Sequence, residues 1–138
     1  MRWSLLFILF AIASCGRTPK TPELCATWYA NAKSIGYLNI QRMALDLRAD
    51  STYRYFYIAA PPARQKVGQE VTEGGVFHVK GDSLIFYVEE RNGEKVDFIY
   101  GRPYRMLPDT AEWPLRVYYS RRGVDFEVYF KNQEPDSE

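Results

Sequence analysis

The run Leu115-Arg116-Val117-Tyr118-Tyr119-Ser120-Arg121-Arg122-Gly123-Val124-Asp125-Phe126-Glu127-Val128-Tyr129-Phe130 reads as two strands and the turn between them. Leu115, Val117 and Tyr119 alternate with Arg116, Tyr118 and Ser120. Past the turn, Val124, Phe126, Val128 and Phe130 alternate with Asp125, Glu127 and Tyr129. A period of two places each set on one face of a strand. A two-residue turn at Arg122-Gly123 sets Tyr119 opposite Phe126 and Val117 opposite Val128, so the apolar sets share a face.

The same pattern recurs upstream. Met43, Leu45 and Leu47 alternate through 42–48, and Tyr53, Tyr55 and Tyr57 through 52–58. A three-residue loop, Ala49-Asp50-Ser51, pairs Leu47 with Tyr53, Leu45 with Tyr55 and Asp46 with Arg54, joining opposite charges on the outer face. It also forces Ser51 into the left-handed conformation that glycine adopts more easily. Gly81 suits the first central position of a type II′ turn that pairs Val79 with Leu84 and Phe77 with Phe86. After Asn92-Gly93, a three-residue loop ending at Gly93 is expected to pair Phe86 with Phe98 and Glu89 with Lys95. Leu24, Ala26, Trp28 and Ala30 share a face of a first strand, and Trp113 is expected to begin the alternation that Leu115 continues. Gly74-Gly75 suggests a bulge. The 31–41 connection has room for a turn of helix, and 59–70 is a long break suited to a rim loop.

About eight strands joined by tight turns predict an antiparallel meander, and closing it removes its exposed edges. The expected fold is all-β, an antiparallel up-and-down β-barrel over 24–131, followed by a polar tail at 132–138.

The first residues carry a different signal. A basic start at Arg2, an apolar run from Leu5 to Ala11, and Ile12-Ala13-Ser14-Cys15 resemble a bacterial lipoprotein signal, in which an aliphatic and two small residues precede an invariant cysteine. The resemblance implies a signal peptide at 1–14, a lipid on Cys15, and a lipidated tether at 15–23 that holds the barrel off the membrane. Gly16 lacks the Asp that retains such proteins at the inner membrane, which implies an outer-membrane address in the cell envelope. Two further segments, 24–29 and 43–55, resemble bacterial lipocalin-like lipoproteins, and 75–84 is similar to a later hairpin of that family. The likeness implies a lipocalin-like barrel with Trp28 as the plug of one end. Ala26 stands where that family has Gly, Ser51 replaces its turn Gly, and no late-barrel arginine matches the one that packs on the first-strand Trp.

Composition narrows the function. Cutting after Ser14 leaves 124 of 138 residues, enough for one core, and removes one of the 18 Lys and Arg, so 17 basic residues face 17 acidic ones. Zero net charge argues against nucleic acid as a partner. With Cys15 lipidated, Cys25 has no intramolecular partner and is expected to be a buried thiol; the alternatives are a reactive or pairing thiol, or a Cys15–Cys25 disulfide if no lipid is attached. His78, the single histidine, points opposite to Phe77 and Val79, so a two-His metal site is excluded. No phosphate-cradling loop, paired-Cys motif or acidic Ca²⁺ loop is present, and no enzyme activity, catalytic residue, metal or cofactor is expected.

The inward positions Tyr53, Tyr55, Tyr57, Phe77, Phe86, Phe98, Tyr100, Trp113 and Tyr119 leave two readings open. They line a cavity for a small hydrophobic ligand, or they fill an eight-stranded barrel that is only just wide enough for side chains. Arg102, Arg105, Arg116, Arg121 and Arg122 offer a basic rim, or pair with Asp109, Glu112, Asp125 and Glu127. The expected function is a lipid-anchored, non-catalytic barrel that binds a small hydrophobic molecule or a partner protein. The alternative is an interaction module with a solid core.

Overall fold

A computed structural model describes residues 23–64, 66–108 and 110–134. The signal, Cys15, the tether up to residue 22 and the tail beyond residue 134 lie outside the described residues. Eight strands close into one antiparallel barrel in sequence order: β1 Thr27–Ala30, β2 Ile40–Leu47, β3 Thr52–Ala59, β4 Gln69–Lys80, β5 Ser83–Arg91, β6 Glu94–Met106, β7 Leu115–Arg121 and β8 Val124–Lys131. One short helix, α1 (Ala32–Gly36), sits between β1 and β2. The Asn31 side chain caps it by accepting from the Lys33 and Ser34 amides.

The hairpin registers follow the apolar alternation. Tyr119 faces Phe126 and Val117 faces Val128, across a turn whose Arg122 and Gly123 both have positive φ (52° and 77°). That left-handed pair matches the right-handed twist of the strands. Leu47 faces Tyr53, Leu45 faces Tyr55 and Asp46 faces Arg54, and Ser51 takes the strained conformation at φ 68°. Phe77 faces Phe86 across the Gly81 turn.

Four expectations are corrected. Between β5 and β6 the turn has two residues, Asn92 and Gly93, both left-handed, and Phe86 meets Tyr100 while Val88 meets Phe98. Irregularities beside Val88 absorb the odd residue, so the short turn and the inward apolar parity coexist. Gly75 lies at this bulge, where a Cβ would collide with the Tyr87 carbonyl oxygen. Second, regular pairing in the first strand begins at Thr27. The segment before it bends so that the Leu24 carbonyl accepts from the Trp28 indole at 2.8 Å and the Ala26 carbonyl accepts from the Leu47 amide at 3.0 Å.

The third concerns Trp113. It lies ahead of β7, outside the barrel interior, with the Lys131 ammonium 4.7 Å from its ring centroid and its carbonyl accepting from Arg116. Pro114 follows it and has no amide to extend the ladder. Finally, Cys25 is exposed rather than buried, while its neighbours Leu24 and Ala26 pack against the core.

One end of the barrel is solid. Trp28, Leu47, Tyr53, Leu84, Leu115, Val117, Val128 and Phe130 are all at most 1% exposed. Burying a side chain of this size stabilises by roughly 1.5–3 kcal/mol, and closure depends on this layer because β1 meets β8 at only Tyr29–Lys131 and Ala30–Phe130.

Candidate functional site: a cavity at the open end

The β6–β7 seam is short. Tyr104, Arg105 and Met106 pair with Val117, Arg116 and Leu115, and beyond them the ladder stops. Toward the opposite end the rest of β6 pairs only with β5, and Tyr118–Arg121 only with β8. The strands part there and leave a cavity of about 570 Å³ at the barrel mouth. The connection after α1 supplies Leu38 and Ile40 to its rim, and the end of β3 supplies Ala59 and Ala60.

The predicted inward residues divide along the barrel axis. Tyr53, Phe77 and Phe86 are buried in the solid half, where Tyr53 meets Phe86 edge to face at 4.7 Å. Tyr55, Tyr57, Phe98, Tyr100 and Tyr119 border the cavity. Trp28 is fully buried among the core residues. The division follows from side-chain chemistry. Branched aliphatics, Trp28 and phenylalanine dominate the filled half, whereas at the mouth most inward positions of the strands end in hydroxyl, carboxylate or guanidinium groups, which keep access to water or to one another.

Two polar residues organise the mouth, and periodicity alone did not single out the first. Glu73 is directly opposite Tyr55 in the ladder and is only 7% exposed. Its Oε1 accepts from the Tyr53 hydroxyl at 2.8 Å and from the Tyr100 hydroxyl at 2.6 Å. The available signal was parity, since Glu73 shares its face of β4 with Val71 and Phe77. Arg102, the second, is half-buried. Its guanidinium carbon is 4.0 Å from the Tyr119 ring centroid and 5.0 Å from that of Tyr100. It forms no ion pair and no hydrogen bond among the described residues, and stacking on aromatic faces is its visible compensation.

Burial pushes the Tyr53 and Tyr100 hydroxyls well above the ordinary tyrosine range, reinforced by the hydrogen bonds to Glu73. Burial also raises Tyr55 and Tyr119, with the Arg102 charge opposing the rise at both. These hydroxyls therefore act as neutral donors and acceptors, and Tyr55 and Tyr119 both approach the Met43 sulfur, at 3.5 and 3.7 Å.

The other arginines divide as well. Arg121 reaches the cavity rim and donates to the Leu38 carbonyl at 2.9 Å, whereas Arg105 and Arg116 lie on the outer face beside Glu127 at 3.9 and 3.7 Å. Arg122 is consumed by the hairpin turn. His78 is exposed and meets the Tyr87 ring edge-on at 5.3 Å. A second concavity, about 680 Å³, runs over β3 to β5 near Gly74. It mixes Arg48, Arg54 and Lys95 with Asp50, Glu89 and Glu90, and shares Tyr55 and Glu73 with the mouth cavity. The mouth cavity, with an apolar wall and a few convergent polar groups, has the makings of a small-molecule site. Comparison with protein-family models, curated proteins and solved structures finds no match to this chain.

Proposed function

We propose that the chain is a lipid-anchored cell-envelope protein of lipocalin-like kind that holds a small, largely apolar molecule at the mouth of its barrel without transforming it. The observation that carries this reading is the division of the interior. The barrel is packed solid around Trp28 and open around Tyr55, Tyr57, Tyr100 and Tyr119, over a volume within the range of small-molecule pockets. A core serving only as scaffold gains by filling such a space, since each missing methylene contact costs stability. The anchor rests on the sequence leading to Cys15, and the address in the outer membrane on Gly16.

Native mass spectrometry of protein recovered from envelope extracts tests the carrier function. A bound small molecule, or uptake of the neutral dye N-phenylnaphthylamine by the emptied protein, is the expected result. An empty protein that takes up no dye refutes it. Incorporation of labelled palmitate, abolished by Cys15→Ser, tests the anchor separately.

A further inference from the structure

We infer that the cavity selects molecules with an apolar body and a single anionic head of the carboxylate type, received by Arg102 beside the rings of Tyr100 and Tyr119. This rests on the carrier reading above and adds the chemical class of the ligand.

The charges around the cavity are unequal. Arg91, Arg102 and Arg121 border it, against one carboxylate, Glu73. Glu73 accepts both tyrosine hydroxyls on its Oε1. No ion pair joins it to any of the three arginines among the described residues. Arg121 donates to a neutral carbonyl and stays exposed at the rim, as does Arg91. Arg102 alone points from β6 into the mouth as a half-buried cation without a counter-ion among those residues. A cation in such a place ordinarily finds a partner, because its desolvation is otherwise uncompensated.

The geometry says what that partner is. With the two ring centroids 4.0 and 5.0 Å from its central carbon, the guanidinium lies against both rings, and its N–H groups make no hydrogen bond among the described residues. A planar guanidinium edge matches the two oxygens of a carboxylate in a bidentate pair. Leu38, Ile40 and Phe98 supply apolar wall for the body. A ligand with a cationic head would meet Arg102, Arg91 and Arg121 against the single carboxylate of Glu73.

The test uses the full chain carrying Cys15→Ser, so that no lipid is attached and no detergent competes. Displacement of N-phenylnaphthylamine is measured with dodecanoate, dodecanol and dodecylamine, which share a body and differ in head. Dodecanoate is expected to displace the dye at concentrations about 10- to 100-fold lower than dodecanol, the range a charge-assisted pair supports, with dodecylamine weakest. Arg102→Gln is expected to abolish the preference for dodecanoate over dodecanol, read as the ratio of the two within the same protein, and Arg102→Lys to keep part of it. Equal displacement by dodecanoate and dodecanol in the Arg102 protein overturns the inference while the carrier reading stands. So does a folded Arg102→Gln protein that keeps the preference for dodecanoate. A protein that binds neither dye nor any dodecyl compound overturns both.

Discussion

Glu73 offers the sharpest test of how the open end is built. Two hydroxyls share its Oε1, at 2.8 and 2.6 Å, and one of them belongs to Tyr53, which is 1% exposed and beyond the reach of water. Replacing Glu73 by Leu removes a buried carboxylate and its desolvation cost, so the single variant mixes two effects of opposite sign. A double-mutant cycle with Tyr53→Phe separates them. A hydrogen bond to a charged group contributes roughly 1.5–3 kcal/mol, and an orphaned buried hydroxyl costs about 1–3 kcal/mol. Tyr53→Phe keeps the ring against Phe86 and loses only the hydroxyl. The coupling between the two sites is therefore expected near 2 kcal/mol, with the double variant more stable than the two single effects predict.

Urea unfolding read by tryptophan fluorescence, to which the buried Trp28 and the half-buried Trp113 both contribute, supplies the free energies. With a dependence of about 1–3 kcal/mol per molar urea, such a coupling shifts the midpoint by about 1 M. Replacing the whole set, with Tyr53→Phe, Tyr100→Phe and Glu73→Leu together, is expected to restore most of the stability, since no polar group is left without a partner. Additivity of Tyr53→Phe and Glu73→Leu within about 0.5 kcal/mol, the scatter of independent sites, would refute the shared-acceptor arrangement.

Three further outcomes are expected. Ser51→Gly relieves the left-handed strain at φ 68° and stabilises by about 0.5–1 kcal/mol in the same urea assay; a loss of stability contradicts the loop geometry. Gly75→Ala drives a methyl group into the Tyr87 carbonyl at the bulge and costs about 2 kcal/mol or more, visible as a lowered thermal midpoint; a neutral result means that β4 and β5 do not approach so closely there. Because the folded-state pKa of Tyr53, Tyr55, Tyr100 and Tyr119 is raised, their contribution is whole below the unfolded tyrosine value of about 10 and fades as pH rises above it. Thermal midpoints are thus expected to fall steeply above about pH 10, with tyrosinate absorbance appearing only on unfolding; free ionisation of these groups in the folded protein would overturn their burial.

The alternation of apolar residues was enough to specify the strands and three of the hairpin registers, because in a two-residue period a slip of one position turns a whole face to water. Leu47 could meet only Tyr53, and Tyr119 only Phe126, once each turn length was set by its residues. The same local physics placed Ser51 in its strained conformation. Where two irregularities offset each other, as around Val88 and Asn92-Gly93, the register lay beyond local reading, since either bulge alone would have exposed the core.

The division of the tyrosines belongs to the tertiary structure alone. Tyr53, Tyr55 and Tyr57 are equivalent by parity. What separates a packed ring from a cavity wall is where β6 leaves β7, and that depends on contacts closed across the whole barrel. Glu73 and Arg102 gain their meaning the same way: each sits on the inner face of its own strand, and only closure sets Glu73 under two hydroxyls and Arg102 against two rings.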